Sequence, residues 1–134
     1  MNNPKIEKKP TGDVKHRRIM IVDDDSDQRV MIQMMLKNEG YETMLAENGS
    51  QFLEKLDKFD PDLVILDVLM PGLTTEEILE KLISKKSKPK IILLSVVRFS
   101  RDVFEDIMKK GNIVAYIKKP FDLDDFINAI NELI

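Results

Sequence analysis

The sequence has no cysteine and a single histidine, and both shortages restrict the chemistry it can perform. Without thiols the chain forms no disulfides, thiolate zinc sites, iron–sulfur clusters or cysteine nucleophiles. With His16 alone, a site built on histidine is not expected. No apolar stretch reaches the ~18 residues of a membrane span, and the polar start lacks the apolar region of a signal peptide. These absences favour a cytoplasmic protein.

Composition and charge favour one folded domain with a basic tail. The 134 residues are 43% hydrophobic and 34% charged, enough to bury one core and keep the surface hydrated. Residues 1–18 carry six basic and two acidic side chains. The remaining residues carry fifteen basic and twenty-two acidic side chains. An acidic body is a poor nucleic-acid binder, because phosphate contacts dominate that affinity. We expect a disordered basic extension at 1–17 and a domain at 18–134; the alternative is a tail that binds an anionic partner.

Five short apolar runs alternate with five segments of helical apolar spacing. The third and fourth runs are continuously apolar and rich in β-branched residues, which is typical of strands covered on both faces. This predicts an α/β fold, a single doubly wound five-stranded parallel sheet of order 2-1-3-4-5, flavodoxin-like. Thr74 with Glu77 predicts a capping box, and Gly40 and Gly111 predict left-handed caps. The expected strands are about 19–22, 41–46, 63–66, 91–97 and 113–117, and the expected helices about 27–38, 50–58, 75–86, 101–110 and 123–133.

Polar residues follow the predicted strands at the edge where such sheets bind ligands. The first strand ends in Asp23, Asp24 and Asp25 and the third in Asp67, while Ser95 and Lys119 end the fourth and fifth. Two carboxylates ~4 Å apart repel by about 4 kcal/mol at an effective dielectric of 20, so clustered ones require a cation or a raised pKa. Mg²⁺ takes one or two carboxylates and shares phosphate oxygens with a substrate. The pattern therefore indicates a phosphoryl group carried on an aspartate.

Four segments resemble the receiver domain of two-component response regulators, of the chemotaxis-regulator type. The resemblance covers 18–134 and implies a phosphorelay signalling domain. It would accept a phosphoryl group from a sensor histidine kinase or phosphotransfer protein and act on a downstream protein target. It implies no enzyme beyond Mg²⁺-dependent self-phosphorylation and autodephosphorylation on Asp67. The segments are Ile-Met-Ile-Val-Asp-Asp-Asp at 19–25, Leu-Val-Ile-Leu-Asp-Val-Leu-Met-Pro-Gly at 63–72, Ile-Leu-Leu-Ser at 92–95 and Tyr-Ile-Lys-Lys-Pro-Phe at 116–121.

The resemblance implies a role for each acidic residue of the motifs. Asp67 would be the phosphoacceptor and a metal ligand. Asp24 would ligate Mg²⁺, or Mn²⁺ as a substitute, directly, and Asp23 mostly through water. The backbone carbonyl of Leu69 would complete the metal site. No organic cofactor is implied.

The resemblance also implies a switch. Lys119 would pair with the acceptor and then with the phosphoryl group, and Ser95 would hydrogen-bond a phosphoryl oxygen. Tyr116 matches the aromatic residue whose ring turns inward when that hydroxyl moves, and Pro120 would fix the backbone through a cis bond. The output surface would be the face of helix four, strand five and helix five, which is also the expected homodimer contact.

Neighbouring residues have plainer interpretations. Asp25 and Asp27 are expected to begin a helix rather than bind metal, and Ser26 to be its N-cap. Lys118 should point away from the site if Lys119 points into it. Core or loop packing, rather than a binding face, is expected of four methionines: Met31, Met34, Met35 and Met70.

Departures from the family pattern add further predictions. Val96 stands where the family has a small residue, and its branched side chain predicts slow phosphorylation or a partly occluded site. Leu69 and Val97 are apolar and unable to orient an attacking water, which predicts a long-lived phosphorylated form.

Two alternatives stay open at this point. A phosphatase of the haloacid dehalogenase type would use Asp23 as nucleophile and Asp25 as general acid. A pseudo-receiver, suggested by Val96, would bind a partner without being phosphorylated.

Overall fold

The computed structural model describes residues 17–68, 70–96, 100–109 and 112–134. Several sequence predictions lie outside these residues and stay predictions. They are residues 1–16 of the basic extension, the metal-binding carbonyl of Leu69, the lifetime argument from Leu69 and Val97, and the cap at Gly111.

Strands and helices alternate along the chain. None of the helices in the described ranges is long and apolar enough to cross a membrane. The strands are β1 (Arg18–Val22), β2 (Glu42–Ala46), β3 (Leu63–Asp67), β4 (Lys90–Ser95) and β5 (Ile113–Lys118). The helices are α1 (Ser26–Asn38), α2 (Gly49–Phe59), α3 (Thr75–Leu82), α4 (Arg101–Lys109) and α5 (Leu123–Leu133).

The five strands form one parallel sheet of order β2-β1-β3-β4-β5, which confirms the predicted fold. The register aligns the carboxyl ends of the inner strands. Val22 pairs with Leu66 across β1 and β3, Asp67 with Leu94 across β3 and β4, and Ser95 with Lys118 across β4 and β5. Residues that follow these ends therefore meet at one edge of the sheet.

Both faces of the sheet are buried, which explains the continuous apolar runs. Alternate residues of β1 enter separate cores: Met20 and Val22 pack with residues of α2, α3 and α4, and Ile19 and Ile21 pack with residues of α1 and α5. The largest fully buried side chain in each core is a phenylalanine, Phe52 or Phe126. Burying such a side chain stabilises the fold by roughly 1.5 to 3 kcal/mol.

Helix ends agree with the sequence predictions in two places and differ in a third. Thr74 and Glu77 form the predicted capping box, and Gly40 has the predicted positive φ, 98°. The N-cap of α1, however, is Asp25 and not Ser26. The side chain of Asp25 accepts the backbone N–H groups of Asp27 and Gln28 at 3.0 and 3.3 Å, so Ser26 becomes the first helical residue.

The predicted α3 and β4 were both too long. Helix α3 ends at Leu82, where the N–H of Lys85 donates to the Leu82 carbonyl at 3.0 Å. The ammonium of Lys88 donates to the carbonyls of Leu82 and Ile83, at 3.0 and 2.9 Å. The N–H of Ser87 then binds Asp57 at 3.0 Å, which turns the chain toward β4. Strand β4 ends at Ser95. The carbonyl of Ser95 accepts the N–H of Lys119, the residue that follows β5, at 2.8 Å.

Candidate metal and phosphoryl site

Three carboxylates meet at the carboxyl edge of the sheet. Asp23 and Asp24 follow β1 and Asp67 ends β3, and each offers an oxygen within 4.8 Å of the other two. Asp23 is 1% exposed and Asp67 6%, whereas Asp24 is exposed. The cluster predicted from the strand ends is thus present, with two buried carboxylates and a third that faces solvent.

Lys119 brings the ammonium group into this cluster. Its Nζ atom lies 3.3 Å from Asp67 Oδ1 and 3.8 Å from Asp23 Oδ2, and its side chain is largely buried. The peptide bond between Lys119 and Pro120 is cis, as the resemblance implied. Lys118 is exposed, in line with the alternation expected of a strand.

Ser95, Val96 and Tyr116 surround the same edge. Ser95 is fully buried and lies one position beyond Leu94, the partner of Asp67 on β4. Tyr116 lies on β5 and is half-buried against the core shared with α2, α3 and α4. Val96 is 59% exposed, so its side chain stands at the rim of the site rather than inside the buried part.

The electrostatics of the cluster favour a hard cation. Burial and the negative charge of Asp23 together raise the pKa of Asp67 to about 6, against the opposing effect of Lys119. Three carboxylates face one ammonium among the described residues of the cluster. Carboxylate oxygens are the ligands that Mg²⁺ prefers. The residues present therefore fit a divalent cation.

Sequence reasoning missed two residues that support Asp23. The amide of Gln28 donates to Asp23 Oδ2 at 2.7 Å, and Arg29 Nη1 donates to the Asp23 carbonyl at 2.6 Å. Asp23 Oδ1 accepts the N–H of Asp25 at 2.9 Å. The sequence offers one indication of these contacts, which is the short distance of Gln28 and Arg29 from the end of β1. The first turn of a helix that begins soon after a strand lies close to the end of that strand. Polar residues on a helix are usually solvated, so spacing alone does not single them out.

A groove of about 490 Å³ lies between α1 and Leu123, the first residue of α5. The prediction that Met31 and Met34 pack in the core or a loop is wrong, because their side chains are 38% and 66% exposed on this groove. Met35 and Met70 are partly buried against the cores, as expected. The groove is lined by Ser26, Asp27, Val30, Met31, Met34, Met35 and Leu123.

Comparison with known families agrees with this geometry. The sequence pattern of the response regulator receiver domain matches residues 19–131. The chain belongs to the response regulator receiver domain family. Receiver domains are signalling domains of two-component systems; they bind Mg²⁺ at an acidic cluster and interact with histidine kinases or phosphotransfer proteins and with downstream targets. The family and the fold expected from the sequence are both confirmed.

Similar proteins are found over most of this receiver domain. Sporulation initiation phosphotransferase F of Bacillus subtilis is 30% identical over 119 residues, which cover 89% of this chain and 94% of that protein. The chemotaxis protein CheY of Bacillus subtilis is 34% identical over 118 residues, which cover 87% of this chain and 97% of that protein. The crystal structure of the response regulator protein TrrA from Thermotoga maritima, in complex with Mg²⁺-BeF, superposes with a TM-score of 0.73 and 34% identity, covering 88% and 99%.

Proposed function

We propose that Asp67 is the phosphoacceptor of this receiver domain. The proposal is carried by the meeting of Asp23, Asp24, Asp67 and Lys119, from three strand ends, in one cluster. Asp67 ends the central strand of the sheet, and among these carboxylates it has the closest contact to Lys119. A phosphoryl group on Asp67 would therefore place its charge beside an ammonium that is already in position.

The neighbouring carboxylates are proposed to hold the cation. Asp24 is exposed on the open side of the cluster and is the proposed direct ligand of Mg²⁺ or Mn²⁺, together with Asp67. Asp23 is proposed to bind through water, because both of its oxygens already accept hydrogen bonds from the protein. The carbonyl of Leu69 is the further ligand expected from the sequence. When bound, the cation would neutralise charge on the oxygens of the phosphoryl group.

In the proposed reaction, a carboxylate oxygen of Asp67 attacks the phosphorus of a phosphohistidine on the donor protein. The P–O bond forms while the P–N bond breaks, and the histidine nitrogen leaves with the electron pair and takes up a proton. Lys119 would bind one phosphoryl oxygen, and the hydroxyl of Ser95 would donate to another. Self-phosphorylation from a small donor and autodephosphorylation by water are proposed to use the same residues.

Ser95 and Tyr116 are the proposed switch. Ser95 pairs with Lys118 and Leu93 with Tyr116, so Ser95 and Tyr116 lie on adjacent strands two positions apart. Movement of the Ser95 hydroxyl toward the phosphoryl group would change the space available to the Tyr116 ring. The result would be a population shift of the face formed by α4, β5 and α5. That face is the proposed contact for a downstream protein and for a homodimer, and direct nucleic-acid binding is not proposed.

The groove between α1 and α5 supports a protein as phosphodonor. A donor's phosphohistidine would approach Asp67 from outside, and α1 begins at Ser26, two residues after Asp24 of the acidic cluster. Val30 and Met34 extend an exposed apolar surface from that point along α1. Contiguous exposed apolar residues mark binding surfaces, and methionine adapts to varied partners. We place the sensor histidine kinase or phosphotransfer protein on this surface.

Labelling with radioactive acetyl phosphate and Mg²⁺ tests the phosphoacceptor. Asp67→Asn is expected to abolish labelling. Asp60→Asn is the matched control, because Asp60 is exposed at the end of α2 and its left-handed backbone suits asparagine. Labelling that persists in Asp67→Asn would contradict the proposal and favour the phosphatase alternative with Asp23 as nucleophile. That alternative already lacks a free general acid, since Asp25 caps α1.

Beryllofluoride distinguishes a receiver from a pseudo-receiver. The related protein TrrA was crystallised with Mg²⁺-BeF, and we expect the same combination to bind here. Amide resonances near Asp67 and Ser95 should shift when beryllofluoride and Mg²⁺ are added together and not when Mg²⁺ is omitted. A spectrum that ignores beryllofluoride would indicate a partner-binding domain without phosphorylation.

A further inference from the structure

Gln28 makes a direct contact with the acidic cluster that the reaction described above does not use. It lies on the first turn of α1 and is half-buried. Its side-chain amide donates to Asp23 Oδ2 at 2.7 Å, a short bond for a nitrogen donor. Asp23 itself is 1% exposed, so the bond is made to a buried carboxylate.

The bond fixes the orientation of the Asp23 carboxylate. The N–H of Asp25 holds Oδ1 at 2.9 Å and Gln28 holds Oδ2, while Arg29 holds the carbonyl of the same residue. All three donors come from the N-cap and first turn of α1. A carboxylate that is held at both oxygens has a defined plane, which is what an oriented metal ligand or water-binding group requires.

Gln28 also competes with Lys119 for the same oxygen. Lys119 Nζ is 3.8 Å from Asp23 Oδ2 and 3.3 Å from Asp67 Oδ1, so its closer partner is the proposed phosphoacceptor. Without the amide, Asp23 Oδ2 would be left with the ammonium as its strongest nearby donor. The carboxylate would then turn toward Lys119, at the expense of the contact between Lys119 and Asp67.

We propose that Gln28 is a positioning residue for the divalent cation, acting through Asp23. This inference rests on the proposed function, in which Asp23 binds the cation through water. The neutral amide adds no charge to the cluster, so its contribution is orientation. Groups that orient metal ligands typically contribute 10- to 100-fold in affinity. Because Asp23 is a water-mediated ligand, we expect Gln28→Leu to weaken Mg²⁺ binding by roughly 3- to 10-fold.

Isothermal titration with MgCl₂ on the full chain tests this proposal. The matched control is Gln33→Leu, because Gln33 is also half-buried on α1 but its amide binds the Thr43 hydroxyl at 3.1 Å, away from the cluster. Mg²⁺ affinity should fall in Gln28→Leu and stay within twofold of the wild type in Gln33→Leu. Urea unfolding in EDTA checks that both variants are folded, and Gln28→Met replaces Gln28→Leu if the leucine variant is not.

A double-mutant cycle separates positioning from a general structural effect. If Gln28 acts through Asp23, Gln28→Leu should change Mg²⁺ affinity by less than twofold in an Asp23→Asn background. Equal losses with and without Asp23, equal losses in the Gln33 control, or an unchanged affinity in Gln28→Leu would each overturn the proposal. A wild type that binds no Mg²⁺ would overturn the proposed function itself, before any variant is compared.

Discussion

The ammonium of Lys119 lies 3.3 Å from Asp67 Oδ1, although the two residues are 52 positions apart in the sequence. The parallel register brings them together, since β3 and β5 flank β4 and end at the same edge. The same ammonium is 3.8 Å from Asp23 Oδ2, so a single lysine side chain faces two buried carboxylates. The uncompensated negative charge favours the binding of a divalent cation at this cluster.

Replacing Lys119 should impair phosphorylation without disturbing the neighbouring strand. We expect Lys119→Gln to slow phosphoryl uptake from acetyl phosphate by about 100- to 1,000-fold, the range seen when an oriented donor to developing charge is removed. Lys118→Gln is the control, because Lys118 is adjacent in sequence and exposed. Stopped-flow or gel-based labelling measures both rates. Equal rates in the two variants would show that the contact with Asp67 has no part in the transfer.

Neutralising Asp67 should stabilise the metal-free protein at high pH. Burial and Asp23 raise its pKa from 3.8 to about 6, so the folded state holds the proton more tightly than the unfolded state. The stability from this proton is complete below about pH 4 and is lost as the pH rises through about 6. Asp67→Asn should therefore raise the free energy of unfolding at pH 8 by about 1 to 2 kcal/mol; the pKa difference sets an upper limit near 3 kcal/mol, which solvent screening reduces.

Urea unfolding followed by circular dichroism in EDTA measures this effect. The free energies of unfolding of wild type and Asp67→Asn should differ much less at pH 4, where the aspartate is protonated in the folded state and partly protonated in the unfolded state. A difference that is the same at pH 4 and pH 8 would assign the change to packing instead of ionisation.

Mg²⁺ binding should weaken when the solution is acidified. Protonation of Asp67, whose pKa is about 6, removes one of the proposed ligands, so protons and the cation compete for the site. Between pH 7.5 and pH 5 the affinity should fall about tenfold. Calorimetry at both pH values, in buffers of different ionisation enthalpy, measures the affinity and the protons released. Asp67→Asn should bind Mg²⁺ weakly and lose most of this pH dependence.

The topology and the ionic cluster were predictable from sequence, whereas side-chain contacts were not. Continuous apolar strands and the positions of Asp23, Asp67 and Lys119 after them are sufficient to place these charges at one edge. The bond from Gln28 to Asp23 depends on one rotamer among several that a glutamine side chain can adopt, and the sequence does not indicate which one. Likewise, Met34 carries no sign of whether it faces the sheet or solvent, because α1 has apolar residues on more than one side.

Shortening Val96 should open the rim of the site. Its side chain is 59% exposed and directly follows Ser95, so it contributes little to the core. We expect Val96→Ala to speed phosphorylation by acetyl phosphate roughly 2- to 5-fold and to change the free energy of unfolding by less than about 0.5 kcal/mol. Labelling time courses and urea unfolding measure the two quantities. A rate equal to that of the wild type would show that Val96 does not restrict access, contrary to the prediction from its branched shape.

A charge in the groove between α1 and α5 should slow phosphoryl transfer from a protein donor but not from a small-molecule donor. Met34 is 66% exposed on α1 and lies in the proposed docking surface, away from the carboxylates. Met34→Lys would place a hydrated ammonium where an apolar contact is proposed, at a cost of about tenfold or more in transfer from a phosphorylated protein donor. Transfer from acetyl phosphate should be unchanged, because that donor needs no docking surface. Ile83→Lys is the control, since Ile83 is 72% exposed on the turn after α3. If the two lysine variants slowed protein-dependent transfer equally, the loss would reflect added surface charge, and the donor would have to dock elsewhere on the domain.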